Sequence, residues 1–336
     1  MGAAVTTAGD YEGQRVDEVL LTSDTGVQVR ILNWGVSVRD WQVPVAGGMR
    51  QVVLGFEEFA PYPEHSPHLG SIAGRVANRI KGASFSLDGK RFDLPVDADS
   101  LHLHGGPSGI GRRVWKLEPD TAASAARFTL HSPDGDMGYP GAVDFEATYR
   151  LDRNRLRLEL RANTDRRTPI SLVQHQYFNL GTSDDVLDHH VEVAAFARTE
   201  LDKSLMPTGA ILPVPGSQYD FRAGRTLRHS DGAPIGYDIN LVLDTGRSLS
   251  EPAAVVVAPD DDLTLKLFTD RPGLQVYNGM WTDIAVPGHG GRIYGRYSGL
   301  CLEDQMFPDA LHNPHFPSII CSPDQPYSHW CEIEIA

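Results

Sequence analysis

Along most of its length the chain switches between apolar and polar residues with a period of two. That spacing places one set of side chains on each face of a β-strand. Val27-Gln28-Val29-Arg30-Ile31-Leu32 is one such run, and Val36-Ser37-Val38-Arg39-Asp40-Trp41 follows after Gly35. Residues 145–151 and 156–161 flank Asp152-Arg153-Asn154 and predict a hairpin. Ala253 to Val257 and Leu263 to Phe268 flank the acidic turn Asp260-Asp261-Asp262 in the same way, and Cys331 to Ile335 form a last run. No long segment spaces its apolar residues at three and four, so helices should be few and short. The 33 glycines and 23 prolines supply the turns that many short strands require. No fixed repeat or low-complexity linker divides the chain. The expectation is an all-β fold: one large antiparallel β-sandwich domain over residues 1–336, rather than a barrel or propeller.

Length alone would suggest about two domains, but all-β folds often grow as one unit, and the patterning outweighs it. Forty-four acids against 30 bases give a net charge of −14, which argues against nucleic acid or an anionic membrane as partner. No apolar run reaches the roughly 20 residues of a bilayer span. The opening residues lack the basic and apolar parts of a secretory signal. Cys301, Cys321 and Cys331 are odd in number and crowded at one end. They read as reduced thiols of a cytoplasmic protein, with no zinc-site spacing.

Chemistry concentrates in a few places. In residues 299–309 a short apolar run delivers Glu303 just before a turn containing Pro308; alternation puts Leu300 and Leu302 on one face, Cys301 and Glu303 on the other. An acid at the lip of a strand meets a substrate without being buried unpaired. In residues 170–180, His175 interrupts another apolar segment. A base candidate and an acid candidate far apart in sequence suit proton shuttling. Arg75 and Arg79 bracket Asn78; the plainest reading is a pair of surface ion partners, although a guanidinium also donates forked hydrogen bonds to hydroxyl and carboxyl oxygens. His102 and His104 alternate onto one face, a weak hint of a metal site, with one core and one exposed histidine equally natural. Gly105-Gly106 would let backbone approach a ligand. Taken locally, Asp238 is a turn residue, Gln275 faces solvent, and His65/His68, His189/His190 and His312/His315 sit in solvated loops.

Read in order, GRVANRI (74–80), LHGG (103–106), DGDMGYPG (134–141), HQYFNL (175–180), MPTG (206–209), GYDIN (236–240) and LEDQMFPD (302–309) resemble the aldose 1-epimerase (galactose mutarotase) family, from about residue 25 to the C-terminus. The resemblance implies the family's large β-sandwich, often called a supersandwich. It implies Glu303 as general base and His175 as general acid, with His104 and Arg79 near the reacting end of a sugar, Asp238 and Gln275 on other hydroxyls, and no metal or organic cofactor. Trp281, Tyr177 and Phe307 lie beside these motifs as candidate aromatic platforms. The chain departs from the family at Gln174, Gln176, Leu101 and Ile239, which leaves the acid and base intact and puts sugar preference in question.

The expected partner is a free monosaccharide such as galactose or glucose, with no nucleic acid, no membrane and no assigned oligomeric state. Other readings stay open here. A sugar phosphate would need extra cations, for which Arg112-Arg113 is the obvious source. A non-catalytic sugar binder would not need an acid–base pair. A metal-dependent isomerase would use His102 and His104. A glycosidase would use two carboxyl groups, and the order of motifs suggests no partner for Glu303 among Asp304 or Asp238.

Overall fold

The structure, a computed structural model, describes residues 2–97 and 101–336. It is antiparallel β throughout its large sheets. Helix is confined, among the described residues, to the turn Tyr62–His65 and short 3-10 turns. None is long and apolar enough to cross a membrane.

The 145–161 hairpin forms as patterned. Val143–Asp152 pairs with Arg155–Thr164 from end to end, with Arg153 in the left-handed region at φ 54° to make the tight turn. Phe145, Ala147, Tyr149 and Leu151 face inward beside Leu156, Leu158 and Leu160. This hairpin lies inside an eight-stranded sheet, which also holds the Ala254–Val257/Thr264–Thr269 hairpin and the C-terminal strand Tyr327–Ile335. A five-stranded sheet runs from Gly2–Tyr11 to Gly48–Gln51 and includes the Gln28–Leu32 and Ser37–Val45 strands. Its first strand has no apolar alternation to announce it. It is an edge strand, half-exposed, and its backbone is ordered by pairing with Gln14–Thr22.

A second five-stranded sheet positions the site. Its last three strands are Asp238–Leu243, Gly273–Tyr277 and Cys301–Gln305, with Gln275 opposite both Asn240 and Glu303. Strict alternation sorts their side chains. Ile239, Leu241, Leu274, Val276, Leu300 and Leu302 join the main apolar core. Asp238, Asn240, Gln275, Glu303 and Gln305 share the opposite, polar face. The core itself is common to all three large sheets: Val29 from the first, Phe145 and Leu267 from the eight-stranded, Leu274 from the third. Sheet faces that cannot all be solvated are buried against one another, which is the physical reason for a layered architecture.

Candidate active site

Glu303 is not at a strand end as the Pro308 turn suggested. It sits mid-strand and is only 3% exposed. It can be so buried because it opens onto a cavity of about 350 Å³, between the polar face of its sheet and a wall of loops. That volume lies within the roughly 300–1,000 Å³ of small-molecule sites. Arg79, His104, His175, Asp238 and Glu303 all line it. Gln275 does not: it is buried behind Asp238, donating from Nε2 to Asp238 Oδ1 at 2.6 Å. Arg79 donates to Asp238 Oδ2 at 3.2 Å from across the cavity. Asp238, expected as a turn residue on local grounds, is thus a strand carboxylate held at both oxygens.

The loop wall is built by backbone ties. Val173–Gln174 pairs with Ile72–Ala73, His175 N–H donates to Ser71 O at 3.0 Å, and Gly70 N–H donates to His175 O at 2.9 Å. His104 takes φ 50°, so the extended alternation that would have put it on the same face as His102 is broken. His102 instead is core, with its ring nitrogens against Pro95 O and the Tyr139 hydroxyl. His104 turns into the cavity, and Asn78 N–H donates to its Nδ1 at 3.3 Å, leaving the proton on Nε2. The histidine pair imagined as a metal site is therefore not formed, and neither ring is exposed. Gly105 serves the loop and not a ligand: at φ +88° an added Cβ would lie 1.8 Å from Gly74 O. Arg75 is not a surface ion partner. It is buried and donates to Pro140 O, Gly141 O and Ser132 Oγ, tying this wall to residues 132–141.

His68, expected with His65 in a solvated loop, belongs instead to the loop wall of the site. It lines the cavity, its ring 4.7 Å from that of His104 and 5.9 Å from that of His175. Tyr177 stacks on His175 at 5.0 Å and anchors its hydroxyl to Pro67 O. Trp281, 62% exposed, stands at the mouth. Phe307 is elsewhere, packed edge-on against Phe316.

The two chemical groups meet. His175 Nε2 lies 3.7 Å from Glu303 Oε1, and both side chains are almost completely buried. Neither His175 Nδ1 nor Glu303 Oε2 has a hydrogen-bond partner among the described residues. Burial pushes the His175 imidazole down to about 4 and His68 to about 3, and holds His104 well below its ordinary value of 6.5. Burial, reinforced by the nearby Asp238 charge and opposed by Arg79, pushes Glu303 well above its ordinary 4.5. Both shifts favour a neutral pair holding one proton. His104, His175 and Glu303 also present one ligand atom each within 4.8 Å of one another, the grouping that could hold a cation.

Two earlier expectations change. Gln174 and Gln176 flank His175 but face the core, and Ile239 is core, so these departures do not touch the cavity. Arg112 and Arg113 are committed elsewhere. Arg112 donates to Pro63 O over the Trp34 ring, and Arg113 pairs with Asp136 at 2.6 Å.

The sequence profile described as Aldose 1-epimerase matches residues 17–334. The galactose mutarotase of Rattus norvegicus is 37% identical over 96% of this chain and 96% of its own length. The aldose 1-epimerase of Escherichia coli K12 is 31% identical, again covering 96% of both. Among solved structures, the aldose epimerase homologue from C. elegans superposes with a TM-score of 0.89 at 27% identity, covering 95% of this chain and 98% of that one. With its layered antiparallel sheets and a profile match over nearly its whole length, the chain belongs to the aldose 1-epimerase family.

Proposed function

We propose that the protein is a mutarotase that interconverts the α and β anomers of free aldohexoses, galactose and glucose among them, with Glu303 and His175 as the proton-transfer pair. The observation that carries this is the 3.7 Å approach of His175 Nε2 to Glu303 Oε1 at a sugar-sized cavity, each with a remaining polar atom unpartnered among the described residues.

Anomer exchange requires one proton to leave the anomeric hydroxyl and another to reach the ring oxygen, opening the ring to the aldehyde. Rotation about the adjacent carbon–carbon bond exposes the other face, and the same two groups close the ring with roles reversed. With Glu303 as base and His175 as acid, opening converts Glu⁻/HisH⁺ into GluH/His. The product state is the neutral pair that burial favours, so the site is suited to the open-chain intermediate. The pair carries one proton throughout and asks nothing of a metal or organic cofactor. Arg79, His104 and Asp238 supply fixed donors and acceptors for hydroxyls, Gln275 steadies Asp238, and Trp281 offers an apolar face for ring carbons.

The engagement of Arg112 and Arg113 elsewhere favours an uncharged sugar over a sugar phosphate. The −14 charge and three free, buried cysteines support a cytoplasmic protein whose partner is a small molecule, and the shared apolar core supports a single domain over 1–336. The test is polarimetry of freshly dissolved α-D-galactose and α-D-glucose. Accelerated decay of rotation, unaffected by exhaustive chelation, is the expected result. No acceleration on a panel of aldoses overturns the reading, and preference for glucose 6-phosphate overturns its substrate class.

A further inference from the structure

Behind the cavity, the residues next to the acid and base in sequence are joined in a buried ring of hydrogen bonds that the reaction itself does not use. Gln174 precedes His175 and faces the opposite way; Asp304 follows Glu303 and does the same. Gln174 Nε2 donates to Leu302 O at 2.6 Å and approaches Asp304 Oδ1 at 3.5 Å. Asp304 Oδ2 accepts from Thr269 Oγ1 at 2.5 Å and from His329 Nε2 at 2.6 Å. With its proton on Nε2, His329 accepts at Nδ1 from the Tyr327 hydroxyl, 3.2 Å away. Leu172 N–H donates to that hydroxyl at 3.1 Å, and Leu172 is two residues before Gln174. The circuit closes on the segment where it began. Every member is buried.

We propose that this ring, with Gln174 as its bridging member, sets the spacing between His175 and Glu303, which makes Gln174 a positioning residue for proton transfer. The ring ties the two backbones from behind, once directly and once through Tyr327 and His329 of the eight-stranded sheet. The Phe178–Leu300 backbone pair joins the same two segments three residues away, and the ring is the tie directly behind His175 and Glu303, whose side chains face each other with 3.7 Å between them. A fully satisfied buried network is rigid, and unmaking one member leaves the others unpaired. The inference rests on the mutarotase reading above.

The test compares Gln174→Met with Gln176→Met. Both are volume-conserving and remove one buried amide, but Gln176 donates to Tyr149 outside the ring. For Gln174→Met, kcat for galactose, measured by polarimetry or NMR exchange, is expected to fall about 10–100-fold, since misplacement by about 1 Å can cost 10²-fold. KM should stay within about twofold, because Arg79, His104 and Asp238 are untouched. Gln176→Met should lower Tm comparably and leave kcat near that of the parent. Equal kcat in the two variants, or a Gln174→Met enzyme with unchanged kcat, overturns the proposal. Should Gln174→Met fail to fold, Asp304→Asn carries the test: its amide N–H faces either Gln174 or His329 and cuts one link, with the same kcat–KM split expected and parental kcat overturning the idea. A wild-type protein without mutarotase activity would instead sink the functional reading, a separate outcome.

Discussion

The two walls of the cavity are built by different physics. One is a regular sheet: Asp238 and Glu303, with Gln275 between their strands, are placed by register and alternation, and a backbone ladder fixes each Cα. The other is a set of loops, in which His68, Asn78 and His104 all adopt positive φ and Gly105 packs against the Gly74 carbonyl. The sheet wall should tolerate changes of side chain without moving and be sensitive to charge. The loop wall should be sensitive to any change that its backbone cannot accommodate.

Replacing Glu303, the proposed base on the sheet wall, is expected to break the chemistry most. Glu303→Gln keeps shape and register while removing proton transfer, and such groups typically contribute about 10²–10⁴ in rate. Loss of at least ~10³ in kcat is expected by polarimetry, with far-UV circular dichroism unchanged. An active Glu303→Gln enzyme would remove the sheet wall from the mechanism. The counterpart on the loop wall is Gly105→Ala, which touches no substrate. Its Cβ cannot coexist with Gly74 O at φ +88°, so the loop must shift and carry His104 with it. Strain of this kind costs on the order of 1–3 kcal/mol. A Tm drop together with an about 10²-fold lower kcat/KM is expected, and normal values for both would show the loop to be pliable.

The same division explains what could be read from sequence. Alternation exposes strands, so the facing of Glu303 away from Leu300 and Leu302 was readable without coordinates, as were both hairpins. Alternation fails where the backbone leaves the extended region. Alternation puts His102 and His104 on one face, and they part because His104 has φ 50°. His68 is silent in sequence because only a turn ending at Ser71 brings it beside His175. The Gly2–Tyr11 strand is silent for another reason: its order comes from its partner and not from its own residues. Arg75 and Arg79, equivalent by spacing, part company because one meets carbonyls in the interior and the other meets Asp238.

A smaller effect sharpens the electrostatic side of the comparison. Asp238 raises the Glu303 pKa and Arg79 lowers it. Asp238→Asn removes the first influence and frees the second, so both act to lower the Glu303 pKa. The pair then loses its single proton at lower pH. The alkaline limb of the kcat/KM profile should therefore move to lower pH, with KM about tenfold higher for one lost charged hydrogen bond. A limb that stays in place, or moves up, would mean that Glu303 does not govern it.

The smallest expected effect is on stability, and there the walls should respond to pH with opposite sign. On the loop wall, His68 and His175 have folded pKa values pushed down to about 3 and about 4, against 6.5 when unfolded. Below 6.5 the unfolded chain binds protons that the folded one refuses, so their contribution is complete above 6.5 and is lost as pH falls towards 4 and 3. On the sheet wall, Glu303 has a folded pKa well above its unfolded 4.5. Its contribution is complete below 4.5 and is lost as pH rises through the folded value, because the unfolded chain then releases a proton that the folded one retains. Glu303→Gln deletes only this second dependence. Scanning Tm from pH 4 to pH 8, the variant should gain on the parent steadily as pH rises, while both lose stability together on the acid side. A Tm difference that shrinks with rising pH would mean that Glu303 is held as a carboxylate in the empty site, and the neutral pair from which ring closure is argued would not be the resting state.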